Sequence, residues 1–138
     1  MVRSPMRIAL AEAIGTFTLV FAGVLAINAA TLAGESEPSS LVAVAFAHGL
    51  AILVMVAALA AISGAHFNPA ITLGFVVAGR MPIRQAVVYW LAQIVGAVVA
   101  ALIIAAAFDR FTVGEGTPAL APNVSVLAGI VLEAIGTF

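Results

Sequence analysis

A small set of polar side chains stands out because nearly everything around them is apolar. Glu12 and Glu133 each lie in an apolar run, and an acid in such a setting is the usual candidate for a proton relay. His48 and His66 are the only histidines, cysteine is absent, and no third metal ligand is evident beside them. The residues form no nucleophile–base pair and no phosphate loop. They indicate transport or structure rather than enzyme catalysis, and they predict no metal site and no cofactor.

The most informative polar segment covers residues 63–72 and reads Ser-Gly-Ala-His-Phe-Asn-Pro-Ala-Ile-Thr. Gly64 permits an irregular backbone, Asn68 is a good N-cap, and Pro69 suits the first helical position. The chain stays apolar to Ala78, which predicts a helix over residues 69–78, about 15 Å long or half a bilayer. We expect a re-entrant half-helix with its N-terminus at the midplane, where irregular backbone is tolerated only against water or protein.

Asn68 has the chemistry to select what passes this half-helix. As the N-cap, its side-chain oxygen accepts from the first turn, which leaves the amide NH₂ as a donor. In a pore that donor binds the oxygen of water, and the helix N-terminus adds about half a positive charge at the same level. Together they orient water and repel cations and hydronium. The alternative is an Asn-Pro turn that links two spans without a pore.

The composition makes lipid the solvent for most of this chain. Of 138 residues, 64% are hydrophobic and 8% are charged, whereas soluble domains carry roughly a quarter charged residues. This excludes an ordinary soluble enzyme and a disordered tail. A net charge of −1 without any lysine excludes a nucleic-acid binder. The apolar stretches long enough to span a bilayer are residues 8–30, 41–62 and 83–107, and another begins near Ser125. The predicted fold class is an all-α integral membrane protein.

The arginines predict the topology. Arg3, Arg7, Arg80 and Arg84 precede the first stretch or lie between the second and third, whereas the opposite loops hold only Arg110. By the positive-inside rule the N-terminus is cytoplasmic, and the half-helix enters from the cytoplasmic side. A signal peptide is the alternative for the first stretch. That run is longer than the roughly 7–15 residues of a signal core, and it contains an acid.

Residues 63–72, which contain Asn68-Pro69-Ala70, resemble the first signature loop of the aquaporin (major intrinsic protein) family. Ala92–Ala97 in the third stretch and Glu12 in the first are similar to the same family, so the resemblance covers the whole chain. It implies a passive channel in the cell membrane for water, with glycerol, urea and ammonia as further neutral solutes, which excludes protons and ions. It also implies a homotetramer for the full-length protein.

The resemblance implies roles for single residues as well. The pore motif would be Asn68-Pro69-Ala70. Backbone carbonyls of three residues before it would line the cytoplasmic half of the channel: Gly64, Ala65 and His66. Three polar side chains would brace the re-entrant loops rather than relay protons: Glu12, Gln93 and Glu133.

His48 has two interpretations. A histidine in a span is costly unless it faces water or a bundle interior, so it is either packed against a neighbouring carbonyl or part of a pore. His48 lies 20 residues before Asn68. The resemblance implies that the side chain at this position forms part of the narrow outer filter of the pore. Phenylalanine is common there in strict water channels and tryptophan in glycerol channels. Histidine resembles the filters of plant tonoplast-type channels, some of which pass ammonia or urea. The other filter residues would lie beyond this chain, which leaves the solute range open.

An internal repeat predicts the domain organisation. The segment Glu12–Phe17 recurs as Glu133–Phe138. Because three spans leave the chain on the opposite side of the membrane, a second copy of such a unit is inverted, as in many transporters and channels. We expect residues 1–121 to form a first half-repeat of three spans and a half-helix, and residues 122–138 the truncated start of a second. The missing C-terminal half-repeat would be the chain's partner. Small residues are expected to mark close helix approaches, namely Gly15, Gly23, Gly49 and Gly96.

Two other functions remain open from the sequence. The chain is either an ion-coupled secondary transporter that uses Glu12 and Glu133, or a membrane fragment without transport. A carrier gives a saturable flux coupled to pH, whereas a channel does not.

Overall fold

The computed structural model describes residues 4–34, 39–108 and 119–137, and the regular structure in these ranges is helical. The helices are α1 (Pro5–Leu32), α2 (Ser39–Ser63), α3 (Pro69–Val77), α4 (Ile83–Ala107) and α5 (Val126–Thr137). The all-α fold class is thereby confirmed. Arg3 and Arg110, on which the topology partly rests, lie outside the described residues.

Within the described ranges, α1, α2 and α4 are the three helices long and apolar enough to cross a membrane. The shortest membrane-spanning segment is Ser40–Ser63 of α2, whose 24 residues are about 36 Å long, more than a hydrocarbon core of about 30 Å. α4 has the predicted bounds, whereas α1 is longer than the predicted 8–30 and α2 longer than the predicted 41–62, each at both ends. α1 extends the furthest, by three residues at its start. It begins earlier because Pro5 occupies its first turn, where a missing N–H is harmless.

α1 lies between α2 and α4 and contacts both. Where α1 meets α4, Gly96 allows the two backbones to approach, because a Cβ there would lie 2.2 Å from the carbonyl oxygen of Ala13. Where α1 meets α2, Gly23 leaves room for the imidazole of His48. Small residues therefore set both helix contacts of α1.

Two of the four glycines have other environments. Gly15 leaves room for the ring of Phe67, which belongs to the loop before α3 and not to a helix. Among the described residues a Cβ at Gly49 would meet nothing within 4 Å, so Gly49 marks no close helix approach within them. Residue type alone does not say which face of a helix is packed, and α2 buries none of its apolar window inside the described chain.

α3 is a nine-residue helix, about 14 Å long, that packs against α4. Ala78 is its C-cap rather than its last residue, so the helix ends one residue earlier than predicted. Gly79, with φ 68°, follows it in the left-handed conformation. The N–H of Gly79 donates to Val76 O at 3.0 Å and that of Arg80 to Phe75 O at 2.9 Å, which closes the helix as a Schellman motif.

The buried cluster at the base of α4 fixes the start of that helix against α1. It consists of Ile8, Met81, Ala86 and Tyr89, with Val76 of α3 packed against it. Because the cluster joins three elements, it sets the position of α3 relative to the two long helices.

Candidate functional site

The loop between α2 and α3 has an irregular backbone. Gly64 has φ 92°, Ala65 has φ 55° and Phe67 has φ 48°, all in the left-handed region. For a residue with a Cβ this conformation costs roughly 1–2 kcal/mol. The loop therefore depends on its neighbours, and its N–H groups need acceptors from the protein wherever water is excluded.

Glu12 of α1 supplies acceptors for two of these N–H groups, while Ser63 Oγ accepts from the N–H of Ala65 at 3.0 Å. The Glu12 side chain is fully buried. Oε1 accepts from the backbone N–H of His66 at 3.0 Å, and Oε2 accepts from that of Phe67 at 2.8 Å. Oε2 also accepts from Gln93 Nε2 at 2.9 Å. One carboxylate thus joins α1, the loop and α4, and its charge is met by three N–H donors instead of water.

Thr72 of α3 is the second centre of this network. Its buried hydroxyl donates to Asn68 O at 3.1 Å and accepts from Gln93 Nε2, also at 3.1 Å. His66 Nδ1 lies 3.0 Å from the same oxygen. Since the single hydroxyl hydrogen is directed at Asn68, His66 Nδ1 is the donor in this pair. The first turn of α3 is therefore tied to the same residues that hold the loop.

Two aromatic side chains of α4 donate hydrogen bonds to backbone carbonyls at either end of the loop. Tyr89 donates its hydroxyl hydrogen to Ser63 O, and Trp90 Nε1 donates to Pro69 O at 3.0 Å. The sequence analysis missed these two residues and Thr72. A usable signal was present, because a tyrosine and a tryptophan inside an apolar span each carry one polar group that needs a partner.

Asn68 caps α3 as the sequence predicts. Its φ of −149° and ψ of 126° are extended, and Oδ1 accepts from Ala70 N at 2.7 Å. The side chain is exposed, and among the described residues its Nδ2 amino group has no acceptor. The arrangement presents two N–H bonds, beside the N-terminus of a helix, to whatever occupies the adjoining space.

The residues expected to line the pore with carbonyls differ in environment. Gly64 is exposed, Ala65 is half-buried and the side chain of His66 is buried between the rings of Phe75 and Tyr89. All three belong to the irregular segment that leads to Asn68, and their pore-lining role stays a prediction.

His48 and Glu133 lie apart from this network. His48 is half-buried, and its Nδ1 lies 2.9 Å from Val44 O, one turn earlier on α2. Glu133 is exposed on α5, in contrast to the fully buried Glu12 of the matching repeat. In the described ranges, no three His, Cys, Asp or Glu side chains are grouped to hold a metal.

Comparison with known proteins gives consistent matches over nearly the whole chain. A family model described as Major intrinsic protein matches residues 2–138. Aquaporin TIP2-1 of Zea mays is 43% identical over 132 residues, which cover 93% of this chain and 51% of that protein. Aquaporin Z of Brucella melitensis is 42% identical over 137 residues, which cover 92% of this chain and 59% of that protein. The chain spans about half the length of the curated relatives it matches.

Proposed function

This chain belongs to the major intrinsic protein family, and from that premise we propose that it forms one half of a water channel that a second half-repeat completes. The chain is a multi-pass membrane protein of a channel family and not an enzyme. The observation that supports the proposal most is the amide of Asn68. Its oxygen is used inside the protein, and its NH₂ faces outward at the N-terminus of α3.

The proposed mechanism follows from this geometry. A donor pair next to the positive end of a helix binds the oxygen of water and turns its hydrogens away. A chain of water molecules oriented in this way does not pass a proton, and a cation meets a positive potential. The exclusion of protons and ions is therefore part of the same proposal as the passage of water.

The buried network explains why Asn68 keeps its orientation. Glu12 holds the loop that precedes Asn68. The hydroxyl of Thr72 donates to the carbonyl of Asn68, and the indole N–H of Trp90 donates to the carbonyl of the residue after it. Such support is needed because selection by a single donor depends on its position. We assign Glu12 and Gln93 as braces for this reason, and Glu133 as the brace of the loop in the second half.

The proposal extends to assembly and placement. The arginine bias supports a cytoplasmic N-terminus, with α3 entering from the same side, in the cell membrane. The chain matches only about half the length of its relatives, which supports a C-terminal half-repeat that completes the channel. The full-length channel would be a homotetramer, as the resemblance to the family implies.

An ion-coupled carrier is the weaker candidate. A relay carboxylate has to exchange partners as it takes up and releases a proton. Glu12 is fully buried and holds three donors, two of them backbone N–H groups that have no proton to give. Its geometry supports a structural role.

His48 supports a solute range beyond water, because its side chain is smaller than the phenylalanine that is common at this position in strict water channels. We expect His48→Phe to lower the flux of glycerol, urea and ammonia relative to water, and His48→Ala to raise it. The measurement is water and solute flux in proteoliposomes of the completed channel. Equal effects of both substitutions on all four permeants would mean that His48 only packs.

The function is tested by completing the channel. Residues 1–121 joined to the second half-repeat of Brucella melitensis aquaporin Z, in proteoliposomes, should raise osmotic water permeability above that of empty vesicles. The 138-residue chain alone should not, because one half supplies one wall of the pore. Intact aquaporin Z is the control. A folded joined protein without water flux, or fast water flux through the chain alone, would contradict the proposal.

A further inference from the structure

The contact between Gly23 of α1 and His48 of α2 is unusually close. A Cβ added at Gly23 would lie 2.0 Å from His48 Nε2, 2.4 Å from Cε1 and 2.6 Å from Cδ2. These three nearest atoms all belong to the imidazole ring. Ordinary contacts between heavy atoms begin at about 3.5 Å. The ring therefore occupies the space that a side chain at position 23 would take.

The other side of the ring is held by its own helix. His48 Nδ1 lies 2.9 Å from Val44 O. A carbonyl oxygen only accepts, so Nδ1 carries a hydrogen and, in the neutral ring, Nε2 is an acceptor. One edge of the imidazole is fixed by this bond and the other by the backbone of α1 at Gly23. The His48 side chain is half-buried, so part of it stays exposed in spite of these two contacts.

We propose that Gly23 is a positioning residue that sets how far the imidazole of His48 extends into the water path. This inference rests on the proposed function, because it assumes that the exposed side of His48 faces permeating water. Any side chain at position 23 forces the ring away from α1 by about 1.5 Å to restore ordinary contact. That distance is about the radius of a water molecule, roughly 1.4 Å, so the displaced ring narrows a single-file path.

A purely structural role for Gly23 makes a different prediction. If it served only to let the helices approach, alanine at position 23 would disturb α1 and α2 whatever residue occupied position 48. The nearest atoms are instead all from one flexible side chain. His48→Ala removes that side chain and makes room for alanine at position 23. In this background, Gly23→Ala should have no further effect.

The chain offers a matched control in Gly49. It is adjacent to His48 on α2, and a Cβ there would meet nothing within 4 Å. Gly49→Ala makes the same chemical change as Gly23→Ala in a transmembrane helix, next to the same imidazole. In the 138-residue chain it should leave the ring position unchanged.

The position of the ring is measured first, on the 138-residue chain in detergent micelles. ¹⁵N spectra of the histidine rings should show His48 with a hydrogen on Nδ1, the signals being assigned by their loss in His48→Ala. Gly23→Ala should shift these signals as the bond to Val44 weakens, and Gly49→Ala should not. Unchanged His48 signals in Gly23→Ala would overturn the inference, whether or not the channel conducts water.

The consequence is measured on the joined channel. Gly23→Ala should lower water permeability at least about tenfold, corresponding to a barrier increase of roughly 1.4 kcal/mol. The double variant Gly23→Ala, His48→Ala should conduct like His48→Ala alone. If the parent conducts and Gly23→Ala conducts equally well, or if the double variant is not rescued, the inference is wrong. If the parent does not conduct, the proposed function fails, and the ring spectra still decide the position of His48.

Discussion

Replacing Glu12 with alanine is expected to release the loop before α3. The substitution leaves the backbone N–H groups of His66 and Phe67 without an acceptor, and also one of the two N–H bonds of the Gln93 amide, whose other donates to Thr72. Each orphaned buried donor costs about 1–3 kcal/mol, so we expect a total loss of about 3 kcal/mol or more. We expect the backbone at His66 and at the left-handed Phe67 to relax, whereas the N–H groups of Gly64 and Ala65 keep their acceptors in Ala60 O and Ser63 Oγ.

The effect is measurable as amide hydrogen exchange in the chain itself. Exchange at His66 and Phe67 should be roughly a hundredfold faster in Glu12→Ala, since every 1.4 kcal/mol corresponds to a factor of ten. Glu133→Ala is the matched control, because it removes the same side chain from the same six-residue repeat at an exposed position. Unchanged protection at both amides in Glu12→Ala would contradict the bracing role.

Replacing Asn68 with aspartate is expected to open the completed channel to cations. Aspartate is as good an N-cap as asparagine, so α3 should keep its start. The outward NH₂ becomes a carboxylate oxygen, and a negative charge replaces a donor beside the helix N-terminus. We expect cation leak to rise at least about tenfold, which needs a change in barrier of only about 1.4 kcal/mol. Water flux should fall by a smaller factor.

Both fluxes are measured on the same proteoliposomes, water by stopped-flow light scattering and cations by tracer uptake. The unsubstituted joined channel, prepared and measured in parallel, is the control for both fluxes. A cation leak in Asn68→Asp no larger than in this control would mean that Asn68 does not face the permeating ions.

The sequence predicts the parts of the site that depend on neighbouring residues. The cap at Asn68, the proline after it and the length of α3 follow from local backbone rules, and the structure differs by one residue at Ala78. The spans follow from the apolar runs in the same way: α4 has the predicted bounds, and α1 and α2 extend beyond theirs by at most three residues at either end.

The contacts across the fold could not be predicted in this way. Thr72 is an ordinary helix residue in sequence, and its role appears only when α3 and α4 are packed around the loop. The hydroxyl of Tyr89 signals that it needs a partner, but the sequence does not say that the partner is Ser63 O. Gly23 and Gly49 look alike in sequence, yet one touches an imidazole and the other faces open space. Which face of a helix meets another is decided by packing, and a single sequence does not record it.

Water and proton flux through the joined channel, measured on the same vesicles, test the central claim most directly. The vesicles carry a pH-sensitive dye inside and receive an osmotic step and a pH step in separate runs. The account predicts rapid shrinkage together with a pH gradient that decays no faster than in empty vesicles. A pH gradient that decays together with the water flux would contradict the claim that the Asn68 end of α3 lets water pass and excludes protons. A water flux that saturates and depends on pH would contradict it as well.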